Sequence, residues 1–170
     1  EDDLLVSPHF LAYMNEALDR YSEAGQVMQV SGYMFPVPWV GDADAAFLPM
    51  TTSWGWGTWQ RAWRCFDAEM GGIDRLAEDR DLRKAFDLDG SISYYQMLKS
   101  QQRNELDSWA IRWYLSVFLM SGLVIFPQKT LVHNAGFDGS GTHCGVIDSD
   151  SILDTGFTVK TFPDQVNVNI

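Results

Sequence analysis

Glu1-Asp2-Asp3-Leu4-Leu5-Val6-Ser7-Pro8-His9-Phe10 sets three carboxylates directly before an apolar run and a helix start. Mg²⁺ and Mn²⁺ bind carboxylate oxygens, often from only one or two side chains, with phosphates and water filling the remaining positions. Adjacent acids at a hydrophobic strand-to-helix turn therefore make half of a cation site that a diphosphate would complete. The same three acids also read as a solvated terminus, or as charge favoured by the dipole of the helix that follows. Ser7 is placed to cap the free amides and Pro8 to take the first helical position. Phe10, Leu11, Met14, Leu18 and Tyr21 then recur at helical spacing until Gly25.

Outward from that start, the pattern predicts a mixed α/β chain in one domain over residues 1–170. Val27–Met34 has strand character, and residues 36–49 read as a loop rich in Gly, Asp and Ala. Thr58 is placed to cap a helix running to about Phe66. Ile73–Phe86 reads as one or two short helices, Ser93–Arg103 as another, and Asp107–Met120 as an apolar helix stopped by Gly122. Leu123–Phe126 is a short buried strand ended by Pro127, and Thr130–His133 is a further short strand. The tail 157–170 alternates weakly enough for one or two edge strands divided by Pro163.

The formal net charge is −11. Nucleic-acid affinity comes mainly from Lys and Arg neutralising phosphates, so this balance argues against a nucleic-acid partner and against an anionic membrane surface. A nucleotide sugar remains compatible if a divalent cation neutralises its diphosphate. The longest apolar run, Val117–Phe126, is too short to span a bilayer. Cys65 and Cys144 have no metal-ligand spacing and fit a reducing compartment.

Three further segments carry chemistry. Asp107 either caps the helix that follows it or takes the proton of an attacking hydroxyl as a general base. In the loop Gly136-Phe137-Asp138-Gly139-Ser140-Gly141-Thr142-His143-Cys144, glycines let the backbone wrap closely around a ligand, and the amides, hydroxyls and imidazole suit phosphate oxygens. An ordinary surface loop is the plain alternative. In Trp54-Gly55-Trp56-Gly57-Thr58-Trp59, indole faces suit stacking on sugar rings. Trp54–Trp56 reads as site-lining, and Trp59 and Trp63 as core at an i, i+4 spacing.

In this order the segments resemble a known group. Glu1-Asp2-Asp3-Leu4 with Ser7-Pro8-His9-Phe10 resembles the acidic metal motif of N-acetylglucosaminyltransferase I and of bacterial sugar transferases related to family 2. Ser53-Trp54-Gly55-Trp56-Gly57-Thr58-Trp59 with Arg61-Ala62-Trp63 resembles the Trp-Gly signature of the bacterial members. Asp107-Ser108-Trp109 falls where that group carries its catalytic carboxylate. Asn134 to His143 is similar to its late glycine loop. The resemblance implies the C-terminal half of a GT-A fold, a small mixed sheet flanked by helices, with a nucleotide-binding half upstream of Glu1. It implies an inverting glycosyltransferase with a nucleoside-diphosphate sugar donor, a carbohydrate or glycoconjugate acceptor, and Mn²⁺ or Mg²⁺ as cofactor. It implies Asp3 as metal ligand, Asp107 as catalytic base, and Glu1 and Asp2 facing the donor's ribose and sugar. Gly139, Ser140, Gly141, Thr142 and His143 would close over the donor, beside Trp54, Gly55 and Trp56. The expected setting is cytoplasmic, at the inner face of a membrane, in polysaccharide or glycoconjugate assembly. This chain alone is expected to be inactive, and an uncovered sheet would let two copies pair. The alternative reading is a noncatalytic carbohydrate-binding or interaction domain. A hydrolase would instead need two acids at a defined gap.

Overall fold

The computed structural model describes residues 3–39, 41–138 and 153–168. Two sheets organise them. A two-stranded antiparallel ribbon pairs β1 (Leu4–Val6) with β6 (Val132–Asn134). A four-stranded mixed sheet runs β3 (Ala45–Leu48), β5 (Leu123–Pro127), β2 (Val27–Ser31), β4 (Trp56–Gly57). Its central pair, β2 and β5, is parallel, while β3 and β4 pair antiparallel at the edges.

Every residue of β2 and β5 is buried, because helices and chain cover both faces. That is why β5 is a continuous apolar run in sequence rather than an alternating one, while β2 interrupts its apolar residues with the buried polar Gln29 and Ser31. Successive strand side chains still point to opposite faces. Val27, Val30, Phe47, Leu123 and Ile125 pack with Tyr13, Met14 and Ala17 of α1 (Phe10–Arg20). Met28, Val124 and Phe126 pack on the other face with α6 (Trp109–Leu119). The remaining helices, α2 (Gln60–Trp63), α3 (Ile73–Glu78), α4 (Arg80–Phe86) and α5 (Tyr94–Gln102), gather on that second face. The observed architecture is therefore a mixed α/β domain with small mixed sheets flanked by helices.

Several elements differ from the sequence reading. Residues 36–49 are not all loop, since Ala45–Leu48 forms edge strand β3 on β5. Four small or apolar residues give almost no periodicity, and pairing with β5 selects the conformation. α1 has no side-chain cap. Ser7 instead accepts a hydrogen bond from the His9 amide at 3.3 Å, and α1 begins at Phe10. Among the described residues the tail forms no strand. It lays Phe157, Val159, Phe162 and Val166 on the α1 side of the sheet and makes one isolated bridge, Phe47 to Val168.

Asp44 explains that course. Its Oδ2 accepts from the amides of Lys160 and Thr161 and from the Thr161 hydroxyl, each at 2.9 Å. A side chain thus takes amides that a strand ladder would have used. Burial raises the Asp44 carboxyl, but these hydrogen bonds and the Lys160 charge outweigh it and hold the group below its ordinary value. A depressed folded value means that the stabilisation is complete above the ordinary carboxylate range and is lost as pH falls through the folded value. Below about pH 4, thermal midpoints should therefore fall more steeply for the parent than for Asp44→Asn. Parallel acid titrations would remove this role from Asp44.

Candidate functional site

The tryptophan-glycine segment divides into two parts with different jobs. Its second half is architecture. The Thr58 hydroxyl donates to the Met28 carbonyl at 2.6 Å, and the Trp59 indole donates to the Leu18 carbonyl at 2.9 Å. The Arg61 guanidinium, lying 4.5 Å over the Trp59 ring, donates to the carbonyls of Tyr21, Ser22 and Val27. Thr58 is thus bound to β2 rather than capping a helix, and Trp59 itself takes the N-cap position of the short α2. Because Trp59 lies before that helix, no Trp59–Trp63 face forms. Trp63 is 41 % exposed and stacks flat on Phe66 at 4.7 Å. Trp56 turns into an aromatic cluster, stacked on Trp109 at 5.2 Å and close to Trp113.

The first half faces a cavity. Ser53 and Trp54 line it together with Tyr33, Phe35, Tyr94 and Ser108. Trp54 meets Tyr33 edge to face at 4.6 Å. Burial raises the Tyr33 phenol above its ordinary value, so it stays protonated at neutral pH. A buried polar network holds the loop in place. The Trp113 indole donates to Gln29 Oε1 at 2.7 Å, and Gln29 Nε2 donates to the Thr52 carbonyl at 2.6 Å. The Ser31 and Thr52 hydroxyls share a hydrogen bond of 2.6 Å, and Ser31 Oγ accepts from the Tyr33 amide at 3.1 Å. Tyr33, Phe35, Tyr94 and the Gln29 network escaped sequence reasoning. The available signal was Gln29 and Ser31, polar residues inside an apolar strand, which mark a buried network.

Gly55 links this cavity to the ribbon that carries Asp3. Its φ is +56°, and a Cβ there would lie 2.5 Å from Val132 and 3.1 Å from Phe10. A run of backbone bonds crosses four chain segments. The Gly32 amide donates to the Gly55 carbonyl, the Leu131 amide to the Gly32 carbonyl, and the Ser7 amide to the Leu131 carbonyl, at 2.7, 2.8 and 2.8 Å. Trp54 and the end of β1 are therefore parts of one hydrogen-bonded unit.

At the far side of that unit, the Ala135 amide donates to the Asp3 carbonyl at 2.8 Å. Asn134 Oδ1 accepts from the Gly136 amide at 2.7 Å. A Cβ on Gly136 would lie 3.1 Å from both Asp3 Oδ2 and Asn134 Oδ1, so the glycine brings the Asp3 carboxylate against the stem of the late loop. Two segments of the resemblance, the acidic motif and the start of the glycine loop, thus meet. Glu1, Asp2, Gly139, Ser140, Gly141, Thr142 and His143 lie outside the described residues.

Asp107 is not the helix cap. Ser108 is, with Oγ accepting from the Ile111 amide at 3.4 Å. The Asp107 side chain is 93 % exposed and is held by Arg112 Nη2 at 3.1 Å. It lines a surface depression with Gln101, Asn104 and Arg112 that shares no lining residue with the aromatic cavity. Asp3 lines neither hollow.

No family model, curated protein or solved structure matches this chain. The site is therefore judged on its own chemistry. Among the described residues, no three His, Cys, Asp or Glu side chains gather to cage a cation. A divalent ion held by one protein carboxylate with phosphates and water is the pattern for Mg²⁺ and Mn²⁺ at nucleotide sites, and Asp3 beside Gly136 offers one such carboxylate. No helix among the described residues is long and apolar enough to cross a membrane.

Proposed function

We propose that this chain is the metal-binding and acceptor-side part of an inverting glycosyltransferase of GT-A type. It moves a sugar from a nucleoside-diphosphate donor to an acceptor hydroxyl in polysaccharide or glycoconjugate assembly. The observation that carries this reading is the hydrogen-bonded unit from Gly55 through Gly32 and Leu131 to Ser7. It ties a mainly apolar, aromatic cavity to the ribbon that brings the Asp3 carboxylate to Gly136. Asp3 would hold the cation, which when bound offsets the charge of the diphosphate leaving group. Asp107 accepts the acceptor's proton as its oxygen bonds to the anomeric carbon and the donor's diphosphate departs with the electron pair of the broken bond. Arg112 orients that carboxylate, and capping by Ser108 leaves it accessible. The same reading sets the chain on the cytoplasmic side, at the inner face of a membrane, and admits a homodimer.

One observation favours the noncatalytic carbohydrate-binding alternative: neither Asp3 nor Asp107 lines the aromatic cavity. Metal dependence separates the two. In the protein as encoded, chelation should abolish transfer from a nucleotide sugar, and Mn²⁺ or Mg²⁺ should restore it. Asp3→Asn should raise the metal concentration needed by about tenfold or more and weaken Mn²⁺ binding measured by calorimetry. Transfer that persists in chelator, or Mn²⁺ binding unmoved by Asp3→Asn, would sink the assignment. Sugar binding with no transfer under any metal would favour the alternative.

A further inference from the structure

The cavity beside Trp54 has a volume of about 250 Å³. A cavity of about 150 Å³ holds benzene, so this one accommodates a single six-membered ring with substituents. Trp54 and Tyr33 meet with their planes at 80°, forming a floor and a wall. Such surfaces suit the CH face of a pyranose. Ser53, Thr51 and Tyr94 also line a wall that is mainly apolar, which suits the CH face of a ring with a few polar groups at its edge.

Charge narrows the ligand further. None of the residues lining the cavity is ionisable to a cation or an anion at neutral pH, the tyrosines being protonated. A carboxylate or phosphate entering it would be desolvated without a cationic partner among the lining residues, which is costly. The cation nearest in sequence, Arg112, already donates to the Ser108 carbonyl and to Asp107. Ser108 lines the cavity and Asp107 precedes it, so a ring seated there is one residue from the candidate base.

We infer that this cavity is the acceptor subsite and that the unit it seats is a neutral pyranose, not a uronic or phosphorylated sugar. The inference rests on the transferase reading and names the acceptor class for it. Ala110 lines the cavity from α6, so Ala110→Leu fills the space without removing a support.

Saturation-transfer NMR on the protein as encoded tests this with methyl β-glucopyranoside and methyl β-N-acetylglucosaminide against methyl β-glucuronide and glucose 6-phosphate. Neutral glycosides should receive saturation at their ring protons, and the anionic ones should bind at least about tenfold more weakly. Ala110→Leu should weaken the neutral glycosides by about tenfold or more at an unchanged thermal midpoint and Mn²⁺ affinity, and Trp54→Ala should weaken them as much while also lowering the thermal midpoint, because it removes the edge-to-face contact with Tyr33. Equal binding of glucuronide, no transfer to any neutral glycoside, or parental binding by Ala110→Leu overturns the inference. Metal-dependent transfer whose acceptor KM ignores Ala110→Leu removes the subsite and leaves the transferase. Neutral-sugar binding without any transfer removes the transferase and leaves a sugar site.

Discussion

Asp107→Asn is expected to lower turnover by about 10²- to 10⁴-fold, the range associated with loss of a general base, while donor affinity holds. Asn keeps the shape of the side chain and cannot take the acceptor's proton. The structure makes the experiment clean. Ser108, not Asp107, caps α6, and the carboxylate is 93 % exposed. The Arg112 ion pair at that exposure contributes at most about 1 kcal/mol, so folding stability should stay close to the parent. Glu105→Gln serves as a control, since Glu105 pairs with Arg103 rather than with α6. Parental turnover in Asp107→Asn would dismiss it as the base, and an equal loss in Glu105→Gln would point to general disturbance of the loop.

The second large effect is on stability. Gly55→Ala places a methyl group 2.5 Å from Val132 Cγ1, a fully buried side chain, at a φ of +56°. The left-handed backbone costs an L-residue roughly 1–2 kcal/mol, and overpacking a filled site costs about 1–3 kcal/mol. A loss of about 3 kcal/mol is expected from urea unfolding, with weaker neutral-sugar binding because Trp54 is the adjoining residue. Gly25→Ala, where a Cβ meets nothing within 4 Å, should change stability by under about 0.5 kcal/mol. If the two substitutions behaved alike, Gly55 would not be the junction described above.

Both predictions depend on contacts that sequence reading reached unevenly. α5 and α6 were legible because their apolar spacing and their breakers agree. Leu123–Pro127 was legible because a run buried on both faces needs no polar alternation. β3 was not, because four residues among Gly, Asp and Ala carry no period and only β5 selects their conformation. Asp107 read as base or cap, and only the geometry at Ser108 separates the two. The meeting of Asp3 with Gly136 was foreshadowed by resemblance alone, since no local pattern ties residues so far apart. The cavity drew its walls from β2's end, the Thr51–Trp54 loop, α5 and α6, and a cavity built from four separate segments has no signature in any one of them.

The parallel pairing of β2 with β5, and the antiparallel pairing of Leu4 with Asn134 in the ribbon, join residues far apart in the chain and so have a consequence for the order of assembly. Closing long loops comes before the contacts that reward it, so such pairings form late and slowly. A nascent chain leaving the ribosome completes its central strands only once Pro127 has emerged, and seats Asp3 only once Gly136 has. Until then Leu4-Leu5-Val6 has no strand partner, an unpaired segment of the kind that chaperones hold, and the Asp3 carboxylate comes against Gly136 among the last steps of maturation.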